Sequence, residues 1–410
     1  MLQGLRILDL TWVLGGPYAT LVLAQLGADV IKIEPPAGDM SRRIPPWYVD
    51  GDSSFFLSVN RGKRSVALDL KHSAGAATLR DLVRHADAVV YNMTPDAPRR
   101  LGLDHASLLR INPKICVGEL IGLHDDGRYA TLPAFDLAIQ ALGGVMDITG
   151  EPGGKPVRVG YQIADLAGGL FLALGTVGAI VRALRAGQGQ RVQVSLLDCQ
   201  IALLTWQAQN YLVSGEIPRR LGARHPMITP SDAFEGEDGT HFVVSPAETF
   251  WRPFCDAIGR ADLVDDPRFA TPQARLANVG ALGEELQATF RTRPARAWVE
   301  LLSRRQVPCA PVNTVADALK EPAATARRMV EELADPLTGA TVRFVGNAFK
   351  YAGAAPLSYP PRLGEHTREV LGEVCGYDEK QIDALIEAGA AFALAGRGRA
   401  AGARAGEGHQ

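Results

Sequence analysis

The chain has 410 residues, a formal net charge of −2, 47% hydrophobic and 21% charged residues. That is the composition of a soluble globular protein, and the length calls for two domains instead of one core. A near-neutral balance argues against a general nucleic-acid binder, although local basic clusters could hold a small polyanion.

The five cysteines, Cys116, Cys199, Cys255, Cys309 and Cys375, are odd in number, and no two stand in a C-x-x-C spacing. A disulfide framework or zinc site is therefore not expected; reduced thiols and a cytoplasmic location fit better. No signal peptide is read ahead of the first strand. The most apolar stretch, Leu166 to Val181, is shorter than the ~20 residues of a membrane helix. It reads as a buried core helix, and no membrane partner is expected.

In chain order, GLRILDL (Gly4–Leu10) suits a buried strand, and TWVLGGP (Thr11–Pro17) a turn. YATLVLAQLG (Tyr18–Gly27) has helical spacing with a glycine C-cap, and ADVIKIE (Ala28–Glu34) is a second strand. This β-α-β unit predicts a parallel sheet with right-handed crossovers. Strands are predicted at Ser65–Leu70, Ala88–Asn92, Ile115–Gly122 and Val192–Leu196. Helices are predicted at Ala74–His85, Asp136–Gly143, Asp165–Arg185 and from residue 197 to Val213.

From Ser214 the texture changes. AFEGEDGTHFVVS (Ala233–Ser245) reads as a hairpin, followed by helices at Thr249–Ile258, Asn278–Arg291 and Pro294–Arg304. Strand character returns at Val342–Tyr351, and helices close the pattern at Thr367–Val374 and Glu379–Ala388. The expected division is 1–214 for a large domain, 215–330 for a small α+β domain and 331–395 for a return to the large one. Residues 396–410, rich in Gly, Ala and Arg, are expected to be a disordered tail.

Four features carry chemistry. The first β-α-β turn is where doubly wound folds bind ligands, and Glu34 ends the second strand. However, VLGGPYA is not G-x-G-x-x-G, which weakens a nicotinamide reading. A basic cluster runs through Arg42, Arg43, Arg61, Lys63, Arg64 and Lys71. It is either a convergent phosphate site or a solvated face. Asp165 opens a long apolar helix containing Gly168 and Gly169. It is either an N-cap or a carboxylate nucleophile at the edge of a dry pocket, with the glycines admitting a substrate or another backbone. The eight histidines show no metal-binding spacing, and there is neither a G-x-S-x-G elbow nor a Walker loop. No metal and no tightly bound cofactor are expected.

Several separate blocks occur in one order: LDLTWVLGGPYATLVLAQLGADVIKIEPPAGDMSR, SVNRGKRSVALDLK, YNMTPDAPRRLGL, VGYQIADLAGGLFLALG, RAGQGQRVQVSLLD and LGEHTREVL. Together they resemble the class III CoA-transferases (the CaiB/BaiF family), which include formyl-CoA transferase, carnitine CoA-transferase and succinyl-CoA:glutarate CoA-transferase. The resemblance covers about residues 2 to 390. It implies an α/β fold: a Rossmann-like large domain with a parallel sheet built from both chain ends, a smaller α+β domain, and an interlocked homodimer. It implies transfer of CoA from an acyl-CoA to a free carboxylic acid, with CoA thioester as substrate and Asp165 as nucleophile, through an aspartyl mixed anhydride and an aspartyl-CoA thioester. It implies CoA contacts at Arg42, Leu68, Lys71, Asn92, Met93, Thr94, Arg100, Phe135 and Asp136.

Racemases related to this family carry His-Asp where this chain has Phe135-Asp136, so the imidazole base of that chemistry is missing. A CoA-dependent racemase or epimerase, or a CoA-binding protein without catalysis, are the alternatives. LHDDGRYATLP (Leu123–Pro133) replaces the family's usual glycine-rich stretch. The spacing is closest to transferases for dicarboxylates such as succinate and glutarate. A distal carboxylate would then need cations, and Arg220, Arg224 and His225 in RRLGARHP are the candidates.

Overall fold

The computed structural model describes residues 1–130 and 132–394; the tail expected at 396–410 lies outside the described residues. The described chain is mixed α/β and forms two compact units.

The first unit comprises 1–143, 160–205 and the chain from Arg328 onward. Its sheet contains six parallel strands: β1 (Arg6–Leu10), β2 (Asp29–Glu34), β3 (Lys63–Leu68), β4 (Ala88–Tyr91), β5 (Cys116–Ile121) and β6 (Arg191–Ser195). Their order is β3-β2-β1-β4-β5-β6, and Ala391–Phe392 adds an antiparallel strand beside β3. This is the doubly wound Rossmann order, whose topological switch lies between β1 and β4. Parallel strands are covered on both faces, so they read as nearly unbroken apolar runs. Alternate residues feed two cores: Leu8, Ile31, Val89 and Val117 on one face, Ile7, Val30, Val90 and Cys116 on the other.

Helix α1 (Gly15–Gln25) and helix α3 (Ile163–Ala186) share the second of these faces. Between them in sequence stands α2 (Asp136–Leu142), and α4 (Leu196–Leu204) follows β6. With 24 residues, α3 is longer than the Leu166–Val181 core read from sequence. By length and composition it could cross a membrane, but half of its most apolar window is buried within the chain. The apolar helix expected to run to Val213 is two helices, α4 and Trp206–Ser214, because Thr205 breaks it at φ 41°.

The second unit comprises Gly144–Val159 and Trp206–Arg327. The expected hairpin is Asp232–Glu235 with His241–Val244, and Cys309–Pro311 adds a third antiparallel strand. Its core is aromatic: Phe290 meets Phe234, Phe242 and Trp298 at 5.0, 4.9 and 5.3 Å between ring centres. The strand character near Val342 belongs to a separate hairpin, Val330–Ala334 with Thr341–Val345.

Candidate active site

A cavity of about 800 Å³ opens at the carboxyl ends of the parallel strands. Its wall takes residues from the ends of all six: Leu10 and Trp12 after β1, Ile33 and Glu34 of β2, Leu68 to Lys71 after β3. Asn92 to Thr94 follow β4, Leu120 to Gly122 end β5, and Leu196 follows β6. A doubly wound sheet places its ligand crevice here because the helices on its two faces diverge at the switch.

Asp165 lines this cavity. It is the third residue of α3, whose N-cap is Gln162, so it is not the cap. The capping acceptor is Asp136, the first residue of α2. One Asp136 oxygen, Oδ1, accepts the Ala164 N–H at 2.8 Å and the Asp165 N–H at 3.3 Å; the other accepts from Gln140 Nε2 at 2.6 Å. The first amides of a helix lack internal partners, and a carboxylate from another helix satisfies them here. The Asp165 carboxylate thereby stays out of capping. Burial, and then the charge of Asp136, push its pKa up to about 6.

Glycines let the two helices of this wall close on each other. A Cβ on Gly169 would stand 2.5 Å from the Gly15 carbonyl oxygen, and one on Gly15 would stand 3.0 Å from that of Asp165. Of the two partners expected for Gly169, another backbone is the one found.

Most of the basic cluster, Arg42, Arg61, Lys63 and Arg64, is neither a phosphate site nor a solvated face, while Arg43 and Lys71 are exposed. Lys63 is fully buried against Asp9 at 2.9 Å, and Lys32 against Asp39 at 3.0 Å. Arg42 is held by Glu34 at 2.7 Å and Asp52 at 2.9 Å, with its side chain 8% exposed. Arg61 pairs with Glu331, and Arg64 with Asp29, Glu369 and Glu373. Burying cations demands partners of opposite charge, and these come from other elements, strands, a loop and a helix, that the fold brings alongside. Arg42, expected among the CoA contacts, is thus behind the wall, and its carboxylate partner Glu34 lines the cavity instead. Among the described residues lining the cavity, Lys71 is the one cation.

Leu68, Asn92, Met93, Thr94 and Phe135, expected among the CoA contacts, all line the cavity. Asn92 also ties the switch together. Its side chain accepts the Trp12 N–H at 2.8 Å and donates to the Trp12 carbonyl at 2.9 Å. Arg100 is exposed and does not line the cavity, although Ala97 and Leu101 of its helix do. Asp136 is 8% exposed and acts on the helix start, not as a lining residue.

Arg220, Arg224 and His225 belong to the second unit and are not among the cavity's lining residues. Arg220 is engaged by Asp147 at 2.7 Å. His225 stacks on Trp206, and its Nδ1 accepts the N–H groups of Met227 and Ile228, both at 3.1 Å.

Sequence reasoning pointed to the first β-α-β turn but did not name as site residues Trp12, Val13, Leu14 and Gly15, which line the cavity. Val13 has a φ of 66°, unusual for a β-branched residue, and marks a turn held by its surroundings. The position of this turn after the first strand was the available signal. Beneath it lie three buried charges on three strands, Asp9 of β1, Lys32 of β2 and Lys63 of β3; Asp9 and Lys32 carried no signal, because their strands otherwise read as apolar runs.

The family model described as CoA-transferase family III matches residues 2–367. Acetyl-CoA:oxalate CoA-transferase of Acetobacter aceti is 36% identical over 353 residues, covering 86% of this chain and 89% of that protein. Succinate–glutarate CoA-transferase of Agrobacterium fabrum is 35% identical over 383 residues, covering 91% and 95%. The crystal structure of a CAIB/BAIF family protein from Brucella suis superimposes with a TM-score of 0.80 at 34% identity, covering 91% of this chain and 98% of that one. With its cavity at the sheet's switch point and matches of this extent, the chain belongs to CoA-transferase family III and is a CoA-transferase of class III.

Proposed function

We propose that the chain moves CoA from an acyl-CoA to a free dicarboxylic acid through the side chain of Asp165. One observation carries this reading. Asp165 presents to the cavity a carboxylate that accepts no hydrogen bond among the described residues, at a helix start already capped by another acid. A raised pKa near 6 leaves it mostly ionised at pH 7 and more basic than an ordinary carboxylate, which favours nucleophilic attack.

The steps follow from that carboxylate. Asp165 attacks the thioester carbonyl, the C–S bond breaks, and a mixed anhydride and CoA thiolate result. The thiolate attacks the aspartyl carbonyl, expelling the donor acid and leaving an aspartyl-CoA thioester. The acceptor carboxylate attacks that thioester to form a second anhydride, and the thiolate then attacks its acyl carbonyl. New acyl-CoA leaves and Asp165 is regenerated. Each attack creates an oxyanion, for which the amides of Gly15 and Gly16 at the start of α1 are the donors we assign. Lys71 meets a CoA phosphate, and the apolar wall around Leu68 and Met93 takes the adenine and pantetheine. Excluding water from this wall protects the thioester's energy from hydrolysis.

The dicarboxylate class is carried from the relatives named for oxalate, succinate and glutarate. The working form we propose is an interlocked homodimer in the cytoplasm. In its support, α3 and α4 expose Leu170, Phe171, Leu174, Ile201 and Leu203, an apolar set that calls for a covering partner.

The test is Asp165→Asn against wild type. CoA transfer should vanish while CoA binding persists, and hydroxylamine should trap an aspartyl hydroxamate at position 165 in wild type alone. Release of free acid and CoA into water, with no acyl transfer, would make the protein a thioesterase.

A further inference from the structure

A second cavity, of about 180 Å³, adjoins the first. The two share Asn92, Met93 and Thr94 after β4 and Leu120, Ile121, Gly122 and Ala134. Of these, Leu120 approaches the Asp165 side of the site. A Cβ on Gly15 would lie 3.0 Å from both the Asp165 carbonyl oxygen and Leu120 Cδ2. The rest of the second cavity's lining includes Leu123, His124, Tyr129, Ala130, Leu132 and Pro133 of the segment Leu123–Pro133, while Thr94 borders both cavities.

The neck of this segment is closed: a Cβ on Gly122 would stand 2.0 Å from the Cβ of Ala134. Its base is tied to β6. Ser195 Oγ donates to the Leu123 carbonyl at 2.9 Å, and Asp125 accepts from Gln193 at 2.9 Å and Arg191 at 3.2 Å. Asp125 is therefore engaged away from a ligand, at 3.8 Å from His124 Nδ1.

The polar groups that remain are donors. His124 Nδ1 accepts the Asp126 N–H at 3.0 Å, so a neutral imidazole carries its proton on Nε2. Tyr129 Oη accepts from Arg128 Nη2 at 2.5 Å, so the hydroxyl hydrogen points to another acceptor. The Arg128 guanidinium also lies 4.6 Å from the centre of the Tyr129 ring. A cation behind the hydroxyl makes it a stronger donor and favours an anionic acceptor.

The geometry points to a distal-carboxylate subsite: His124, Tyr129 and Thr94 receive the far carboxylate of the dicarboxylic acid whose near carboxylate reacts at Asp165. This rests on the transferase reading above. It assigns acid selectivity to His124, Tyr129 and Thr94, in the unit that holds Asp165, and not to the arginines of RRLGARHP.

The experiment compares succinate with butyrate, which has the same chain length and no distal charge. Acetyl-CoA and succinyl-CoA serve as parallel donors. Tyr129→Phe keeps the ring and its contact with Arg128, and His124→Ala removes the second donor. Each should lower kcat/KM for succinate relative to butyrate about tenfold or more, the range for a hydrogen bond to a charged group. An unchanged succinate-to-butyrate ratio in both variants overturns the assignment. So does an equal loss for both acids with a raised KM for the acyl-CoA donor, which would mean that the cavity takes the pantetheine arm. Wild type that transfers CoA to neither acid from either donor overturns the transferase reading and this inference with it.

Discussion

Asp136 and Asp165 stand at the same helix start, and Asp136 alone is tied to it. Asp136 accepts the Ala164 and Asp165 amides, whereas the Asp165 side chain faces the cavity with its pKa raised to about 6. Two carboxylates in one neighbourhood thus stand in different states, one holding the backbone and one free of capping.

The pH dependence follows. The protonated Asp165 cannot attack a carbonyl, so kcat/KM for transfer should fall below an apparent pKa near 6. The folded pKa lies above the ordinary 3.8, so ionising this group opposes folding. Its effect is absent below about pH 4, grows as the pH rises through 6, and persists above. Asp165→Asn should accordingly raise stability at pH 7 by about 1–2 kcal/mol, allowing for partial solvent screening. Thermal melts at pH 4 and pH 7 would show the gain at the higher pH only; equal gains at both would refute the assignment.

Asp136→Asn keeps an oxygen for the Ala164 amide and removes a charge next to Asp165. Burial, the larger cause of the raised pKa, is untouched. The acid limb of the rate profile should move to lower pH without reaching that of a free carboxylate. Asp136→Ala should in addition destabilise α3 by about 1 kcal/mol through the lost cap. Rate profiles of the two variants against wild type separate charge from capping.

Gly169→Ala adds a Cβ 2.5 Å from the Gly15 carbonyl oxygen, between two backbones that cannot yield independently. We expect a loss of about 1–3 kcal/mol in stability. We also expect a larger relative loss in kcat than in acyl-CoA affinity, since Asp165 and Gly15 shift apart. Denaturant melts with steady-state kinetics test both; unaltered kcat would place the nucleophile elsewhere.

Lys63 and Asp9 form a fully buried pair beneath the switch. Burial lowers the Lys63 pKa to about 8 despite Asp9. For Asp9, burial acts upward, but Lys63 and Lys32 outweigh it and hold the carboxyl near 2. Removing one partner strands the other, so Asp9→Ala should cost about 3–5 kcal/mol. Joint replacement by Asn and Met should cost less than the two single changes summed. Additive losses would show that the pair is not coupled.

Lys71→Ala should raise KM for acyl-CoA several-fold while leaving KM for the free acid unchanged. The effect should shrink as salt is added, because Lys71 is exposed. Loss of affinity for the acid instead would place the phosphates elsewhere.

Local pattern was enough for the six parallel strands, the long α3 helix and Asp165 as a residue of interest. Apolar runs of strand length and a glycine-punctuated turn require no partner to be recognised. The short strands Cys309–Pro311 and Ala391–Phe392 escaped detection because two or three residues carry no periodicity; they exist by pairing with a neighbour already in place. Charge was the harder problem. Arg42, Arg61, Lys63 and Arg64 cluster in sequence as a phosphate site would, yet each is neutralised by an acid from another element. A side chain's partner is a property of the folded chain, and sequence proximity does not report it. The same holds for the helix start at Asp165. Sequence allowed a cap or a nucleophile at that position, and the tertiary structure removed the cap by bringing Asp136 from a separate helix to the vacant amides. Hydrogen-bond demand at a helix end is local, but the group that meets it need not be.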